Sequence, residues 1–228
     1  MAVTRHPSIR DQVASILRGA IVNGSLEPGA FLVERELCEM TGASRPSVRE
    51  ALRQLEAEGL LESYNGRGTV VRQLSLEEAR HVYEVRAELE GLAARLFCER
   101  ADEQQKAALQ AAVDRLAAAS SGPEGSAGVL TAQSEFYGIL FEGSGNPFLD
   151  QTVQSMQVRI AQLRAITLAV PGRAEQSLAE FQEIAAQIER GRPAAAQRAA
   201  VRHVRRASAA MAIAMEGREE GDSVSRPR

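Results

Sequence analysis

An Asn-Gly dipeptide at positions 65–66, set between two β-prone segments, constrains the fold of this chain most. Such a dipeptide supplies the two positive-φ positions of a type I′ turn and is the strongest short-range signal for a β-hairpin. The hairpin arms are predicted at 60–64 and 67–71, and three helical segments precede them at 8–23, 33–40 and 44–58. Helix, short helix, turn, helix and hairpin in this order predict a winged helix-turn-helix.

Each of the three helical segments carries apolar residues at helical spacing. Gly24 ends the first segment, Gly42 relieves the strain of a tight turn before the third, and Gly59 ends the third. Ile9, Val13, Ile16 and Ala20 share one helical face of the first segment, and the second segment has apolar Leu37 and Met40. In the third segment, Val48, Leu52 and Leu55 are predicted to face inward.

The leading turn of the third helix carries the residue types that DNA readout needs. Arg45 and Arg49 are four residues apart, so they share one face, and Ser44 and Ser47 lie nearby as short donors. A helix fits the major groove, where guanidinium groups bind guanine edges, and its N-terminal N–H groups favour phosphate. This helix is therefore the predicted recognition helix.

Three further residues are expected at the same duplex. Arg35 on the second helix would lie beside the groove, and Arg67 with Gly68 at the hairpin tip would approach a phosphate or the minor groove. The alternative for any single arginine is an ordinary solvated charge. Its expected partners in that case are Glu50, Glu56 or Glu58.

After residue 74 the strand signals stop and only helical periodicity remains. Ser75 and Glu78 form a predicted capping box, which opens a long helix with apolar Val82, Val85, Leu89, Leu92 and Leu96. Further helices are predicted at 102–119, 129–142, 147–169, 175–190 and 193–216, with a second candidate capping box at Ser177 and Glu180. The expected fold is mainly α: a winged helix-turn-helix at 1–74, an all-helical bundle at 75–216 and a disordered tail at 217–228.

Charge and composition narrow the function. Residues 1–74 carry nine Arg and nine acidic residues, and the remainder gives the chain its net charge of −3, which excludes a protein that coats nucleic acid generally. Cys38 and Cys98 fit neither a metal spacing nor a disulfide framework, so they are predicted to be reduced thiols. No apolar run approaches the roughly 20 residues that span a bilayer, and no signal-type segment is seen, so a cytoplasmic protein without membrane contact is expected.

An enzyme is not expected. Catalysis needs convergent nucleophile, base and oxyanion donors, and the chain has three histidines and no G-x-S-x-G, HExxH or P-loop motif. The competing class is a helical ligand-binding or interaction protein without operator binding. A steep salt dependence of DNA affinity would distinguish a regulator from that alternative.

The segment PGAFLVERELCEMTGASRPSVREALRQLEAEGLLESYNGRGTVV resembles the winged-helix domain of GntR-family bacterial regulators. The family pattern runs PG-x-x-L-x-E-R-E-L, S-R-x-x-V-R-E-A-L, L-x-x-x-G-L and G-x-G, and the match covers about residues 8–74. The resemblance implies double-stranded operator DNA as partner. It implies DNA contacts by Arg35, Arg45 and Arg49, supported by Ser44, Ser47, Arg67 and Gly68. Pro46-Ser47 stands where the family usually has Thr-Pro.

The helical remainder resembles the FCD type of effector domain of the FadR subfamily over about 75–215. The motifs are Arg86-x-x-Leu89-Glu90, the segment 133–137 followed by Gly145-Asn146-Pro147, and Glu180-Phe181 followed by His203. The resemblance implies a bundle with a polar cavity for a small organic acid, and a homodimer. Repression released by ligand is the commoner behaviour that it implies, with activation left open.

Many such domains bind a divalent metal through an aspartate and three histidines. The matching positions here are Gln133, Tyr137, Phe181 and His203, and a single histidine rarely makes a metal site, so no metal and no cofactor are expected. The same four residues are predicted to contact the effector, together with Arg86 as a partner for a carboxylate. The alternatives are a core histidine for His203 and an intrahelical pair with Glu90 for Arg86. Arg159 and Arg164 are further candidates.

Overall fold

The computed structural model describes residues 7–22, 24–64, 68–122 and 125–224, with side chains as far as residue 217. The chain divides into two compact units, Met1–Leu74 and Ser75–Arg228. The boundary lies where the strand signals of the sequence end. Within the described residues no helix is both long and apolar enough to cross a membrane.

The first unit is a winged helix-turn-helix. Its elements are α1 (Ile9–Val22), β1 (Phe31–Leu32), α2 (Glu34–Thr41), α3 (Arg45–Ala57), β2 (Leu61–Ser63) and β3 (Thr69–Val71). The strands form an antiparallel sheet in the order β1-β3-β2, with Leu32 opposite Thr69 and Leu61 opposite Val71. The two predicted arms of the hairpin are confirmed. The turn of the hairpin, with Asn65, Gly66 and Arg67, lies outside the described residues. The two-residue β1 was missed because it is too short for a period-2 pattern.

The core of the first unit lies between the three helices and one face of the sheet. Val48, Leu52 and Leu55 of α3 are buried as predicted. The predicted inner face of α1 was partly wrong, because Ile9 and Ile16 are exposed and the buried face runs through Val13, Ala14, Leu17, Ala20 and Ile21. Met40 is also exposed, and Leu37 is the fully buried residue of α2.

The second unit is a bundle of helices. They are α4 (Leu76–Arg100), α5 (Glu103–Ser121), α6 (Gly125–Gly143), α7 (Pro147–Leu168), α8 (Arg173–Glu189) and α9 (Pro193–Val224). The capping box of α4 is confirmed: the Ser75 hydroxyl accepts from the Glu78 N–H at 3.1 Å, and the Glu78 carboxylate accepts from the Ser75 N–H at 2.9 Å.

The structure differs from the sequence at two helix ends, and the second predicted capping box is wrong. Ser177 and Glu180 form no capping box, because α8 begins at Arg173 and both residues lie buried in its interior. The last helix continues to Val224, through most of the segment predicted as a disordered tail. A polar sequence is compatible with a helix as well as with a coil, so composition alone does not decide where such a helix ends.

The core of the second unit is aromatic and aliphatic at its centre. Phe97, Phe136, Phe181, Leu116 and Ile184 are almost completely buried there. α4 packs directly against α9, since a Cβ at Gly91 would lie 2.7 Å from a Val201 methyl carbon.

The first half of α4 departs from the predicted face, because Val85 is exposed. The buried positions there are Ala79, Tyr83, Arg86 and Ala87, with Glu90 on the next turn, and a periodicity argument based on hydrophobicity does not select the charged ones.

Candidate DNA-binding and effector sites

A tight turn joins α2 to α3. The last residue of α2, Thr41, donates its hydroxyl to the Leu37 carbonyl at 2.7 Å. Gly42 follows in the left-handed conformation at φ 65°, and its N–H donates to the Cys38 carbonyl at 2.9 Å. A side chain at this φ would be strained, so glycine allows the short turn that fixes α3 against α2.

The N-terminus of α3 is capped by serines. The Ser44 hydroxyl accepts from the Ser47 N–H at 3.5 Å and lies 3.0 Å from the Ser47 hydroxyl. Pro46 occupies the first turn, where its missing N–H costs no helical hydrogen bond. Because Val48 and Leu52 hold the opposite face in the core, the leading turn of α3 faces solvent.

Arg45 and Arg49 both project from this exposed face, and the Arg49 side chain is 58% exposed. The Arg49 Nε donates to a Glu34 carboxylate oxygen at 2.7 Å. This hydrogen bond, with the charges of Arg49 and Arg45, lowers the pKa of Glu34. Arg49 is therefore paired across the helix-turn-helix rather than with the acidic residues of its own helix that the sequence suggested.

Arg35 and Gly68 complete the described part of the predicted DNA contact set. Arg35 is exposed and pairs loosely with Glu39 at 3.4 Å and Glu36 at 3.8 Å. Exposed pairs of this kind contribute little, so a phosphate can replace them. Gly68 has φ 149° and accepts from the Tyr64 N–H at 2.8 Å, which closes the described base of the hairpin.

The second unit contains a buried charged pair beside an aromatic ring. The Arg86 Nε donates to a Glu90 oxygen at 2.9 Å, and the two side chains are 2% and 1% exposed. Arg164 lies 4.0 Å from the same Glu90 oxygen and places its guanidinium carbon 4.1 Å from the centre of the Tyr137 ring. Burial would raise the pKa of Glu90, but the charges of Arg86 and Arg164 outweigh burial and lower it. Glu90 is therefore ionised inside the bundle.

Tyr137 belongs to the same cluster. Burial, together with the Glu90 charge, raises the pKa of its phenol, so the ring stays neutral.

A second buried carboxylate, Glu180, binds three cationic or polar side chains. Its oxygens lie 2.7 Å from Arg173 Nη2, 2.7 Å from His203 Nδ1 and 3.3 Å from Arg206 Nη1. Burial would raise the pKa of Glu180, but the hydrogen bonds from His203 and Arg173 lower it. Burial also lowers the pKa of His203 despite this carboxylate, so His203 is a neutral imidazole that donates its Nδ1–H.

The two charged clusters meet at a cavity of about 20 Å³, enough for the centre of roughly one water molecule. Gln133 in its wall donates to the Ser177 hydroxyl at 3.2 Å. Three buried guanidinium nitrogens have no hydrogen-bond partner within the described chain: Nη1 of Arg86, and Nε and Nη1 of Arg173. The residues on the wall include Tyr83, Arg86, Gln133, Arg164, Thr167, Arg173, Ser177 and His203.

An outer groove of about 300 Å³ lies between α8 and α9. His203 is on its wall as well as on the wall of the small cavity, so a single side chain adjoins both spaces. The other groove residues that bear on the charged cluster are Glu180, Arg202 and Arg206.

Three of the five predicted effector residues meet at the small cavity: Arg86, Gln133 and His203. Tyr137 and Phe181 do not line it. Their rings pack against each other at 5.5 Å in the core behind it, because large aromatic rings gain more from burial than from lining a polar space. Both alternatives left open by the sequence have a structural basis, since Arg86 pairs with Glu90 and His203 with Glu180.

Sequence reasoning missed the roles of Arg173 and Glu180. The sequence suggests Glu180 as a capping candidate and as part of a family motif, and Arg173 precedes the helix predicted at 175–190. The signal that could have found Glu180 is a charged residue on the apolar face of a predicted helix.

The cavity wall does not suit a cation. Among the described residues no three His, Cys, Asp or Glu side chains are grouped to hold a metal ion. Gln133 is occupied by Ser177, and His203 by Glu180, while three guanidinium groups surround the space. Positive charge at this density repels a divalent cation and attracts an anion.

Two family models match the chain. The model for bacterial regulatory proteins of the gntR family matches residues 9–71, and the FCD domain model matches residues 81–206. The HTH-type transcriptional regulator YdhC of Bacillus subtilis is 27% identical over 187 residues, which cover 82% of this chain and 84% of YdhC. The Nta operon transcriptional regulator of Aminobacter aminovorans is 37% identical over 140 residues, covering 61% of this chain and 65% of that protein.

Solved structures agree with the fold. McbR/YncC of Escherichia coli has a TM-score of 0.77 at 22% identity, and a GntR-type regulator of Rhodococcus sp. RHA1 has 0.76 at 25% identity. Each comparison covers 90% of this chain and 97% of the other. The sequence relatives are regulators of transcription and not enzymes, as the sequence predicted. The chain therefore belongs to the GntR family of bacterial transcriptional regulators, with an FCD domain as its C-terminal unit.

Proposed function

We propose that this regulator binds operator DNA through the leading turn of α3. The observation that carries the proposal is the pair of arginines, Arg45 and Arg49, on the exposed face of that turn, beside an N-terminus whose inner face is held in the core. Arg35 supports the same surface, and the Ser44 and Ser47 hydroxyls are close enough to exchange their mutual hydrogen bond for phosphate contacts. Arg67 and Gly68 contact the backbone or the minor groove from the wing.

The regulator acts as a homodimer in the cytoplasm, where bacterial DNA lies. A dimer presents two recognition helices to a near-palindromic operator, with half-sites about one helical turn apart. Its dimerisation rests on the FCD unit, residues 75–216. Size-exclusion chromatography with light scattering on the full chain tests this, and a monomer at micromolar concentration contradicts it.

The effector is a small organic acid that binds in the cavity of the FCD unit. The support is the set of unpartnered donors on Arg86 and Arg173, since buried donors without acceptors are costly and a carboxylate accepts from guanidinium groups in a forked geometry. Gln133 and His203 contact the same ligand. The ligand binds more tightly to the arrangement of the dimer that fits DNA less well, and operator affinity falls by that difference in ligand affinity. The protein is therefore a repressor that its effector releases from DNA.

The DNA-binding role is tested with a duplex selected from a random-sequence pool by the purified protein. Fluorescence anisotropy then measures affinity for that duplex and for a scrambled duplex of equal length. We expect sequence-specific binding that is lost on Arg45→Ala together with Arg49→Ala. Equal, salt-independent binding to both duplexes would favour the other candidate, a helical interaction protein without operator binding.

A further inference from the structure

The buried charges around the cavity of the FCD unit do not balance. Arg86 and Arg173 are buried cations, and Glu90 and Glu180 are buried carboxylates. Arg164, whose side chain is only 13% exposed, adds a third cation beside Glu90. The interior therefore holds three guanidinium charges against two carboxylates.

Two neighbouring groups leave this count unchanged. His203 is neutral, because burial lowers its pKa and its Nδ1–H is donated to Glu180. Arg206 touches Glu180, but its side chain is 66% exposed, and water and salt screen its charge. The cavity thus carries one positive charge more than its surroundings neutralise.

The donors without partners belong to two residues on the wall of that cavity. Arg86 reaches the cavity from α4 and Arg173 from the first residue of α8, and each keeps a buried Nη1 with no acceptor in the described chain. One carboxylate has two oxygens and four lone-pair positions, enough to accept from both guanidinium groups. A second carboxylate would find no further surplus charge and would stay buried without compensation.

We propose that the FCD cavity selects organic acids with a single carboxylate and rejects dicarboxylates. The proposal rests on the carboxylate effector of the proposed function and adds the charge that the effector carries. The acid binds within the inner cavity with its carboxylate at Arg86 and Arg173, so a second carboxylate on the same molecule is buried with it. The inner cavity of about 20 Å³ holds the centre of about one water molecule, so the side chains around it move apart to admit the acid.

The test uses the full chain and matched probes. Unbranched monocarboxylates, dicarboxylates and primary amides of two to six carbons, with benzoate, phthalate and benzamide, are compared by thermal shift and calorimetry. We expect at least one monocarboxylate to bind, and its dicarboxylate and amide counterparts to bind about tenfold or more weakly. The dicarboxylate brings a second charge that is poorly compensated, and the amide lacks the charge that the cavity neutralises. A dicarboxylate or amide that binds as tightly as its monocarboxylate overturns the proposal.

Two charge variants make the test specific. Glu180→Gln raises the surplus to two charges at nearly constant shape and is expected to bring dicarboxylate affinity to or above that of the monocarboxylate. Arg164→Gln removes the surplus and is expected to weaken all acids. Glu189→Gln, an exposed change on the same helix, is the matched control and should leave the preference unchanged.

Each result decides between the claims. Unchanged selectivity in a folded Glu180→Gln protein overturns the charge count. If Glu180→Gln fails to fold, unchanged acid affinity in Arg164→Gln overturns it instead. No binding by any acid contradicts the carboxylate effector of the proposed function and this inference with it, whereas equal binding of mono- and dicarboxylates contradicts this inference alone. Operator binding is measured in parallel and stands apart from both outcomes.

Discussion

Replacing Arg86 by Met should destabilise the FCD unit strongly, because it leaves Glu90 buried without its main partner. The pair is 2.9 Å apart, and both side chains are almost completely inaccessible to water. Breaking a buried pair of this kind costs about 3–5 kcal/mol. Arg164, at 4.0 Å from the same carboxylate, retains part of the attraction, so the lower end of the range applies.

For a unit of this size, a loss of about 3 kcal/mol lowers Tm by about 6–12 °C. The double variant Arg86→Met with Glu90→Leu removes both charges and should recover to within about 1 kcal/mol of the wild type, since apolar side chains of similar size can replace a buried ion pair. Chemical denaturation followed by circular dichroism measures both changes.

The exposed pair of Arg95 and Glu99 supplies the control, as Arg95→Met should cost no more than about 0.5 kcal/mol. The reasoning is refuted if Arg86→Met behaves like Arg95→Met, or if the double variant is as unstable as the single one.

Three further predictions follow from other parts of the molecule. Arg49→Ala should weaken operator binding by about tenfold to a hundredfold, which is the range for a lost guanine contact. Arg95→Ala, the control in the FCD unit, should change operator binding by less than about twofold. Equal effects of the two variants in anisotropy titrations would contradict the role of Arg49. Zinc or nickel should raise Tm by less than about 2 °C, and a larger rise that grows with metal concentration would show a metal site.

Stability should also fall as pH drops below about 6.5. Below this pH His203 takes up a proton in the unfolded chain, whereas burial lowers the pKa of His203 in the folded protein. The contribution of neutral His203 to stability is therefore complete above the unfolded pKa and is lost as the pH falls toward the folded pKa. His203→Gln should flatten the fall in Tm between about pH 7.5 and pH 5.5. Exposed His81→Gln should leave it unchanged, and equal slopes in all three proteins would contradict the expectation.

The helix-turn-helix could be predicted from the sequence because its signals are local. Ser44, Gly42 and the apolar spacing of Val48, Leu52 and Leu55 act within a few residues, and each has the predicted place in the structure. The capping box at Ser75 is local in the same sense. The partner of Arg49 is not local, since Glu34 comes from the preceding helix, and a search along the same helix could not find it.

The effector cavity could be predicted only in part, because it depends on how five helices meet. Arg86, Gln133 and His203 were found through family motifs, but the contact between Arg173 and Glu180 is a tertiary one. Periodicity assigns inward faces by hydrophobicity, so it passes over buried arginines and glutamates. Tyr137 and Phe181 are predicted as effector contacts from the same family positions, but their rings pack behind the cavity, because a residue on an inner face can lie behind a cavity as well as beside it.

Binding of operator DNA by the leading turn of α3 is tested most directly by the salt dependence of that binding. Anisotropy titrations of the full chain on its selected duplex, over a range of salt concentrations, give the slope of log affinity against log salt. Each neutralised phosphate contributes about −0.9 to that slope, so a dimer whose Arg35, Arg45 and Arg49 each neutralise one phosphate at both half-sites should give about −5. The Arg45→Ala and Arg49→Ala double variant should flatten the slope and lose the preference for the selected duplex. A wild-type slope near zero, or a steep slope that the double variant retains with its sequence preference intact, would contradict the assignment.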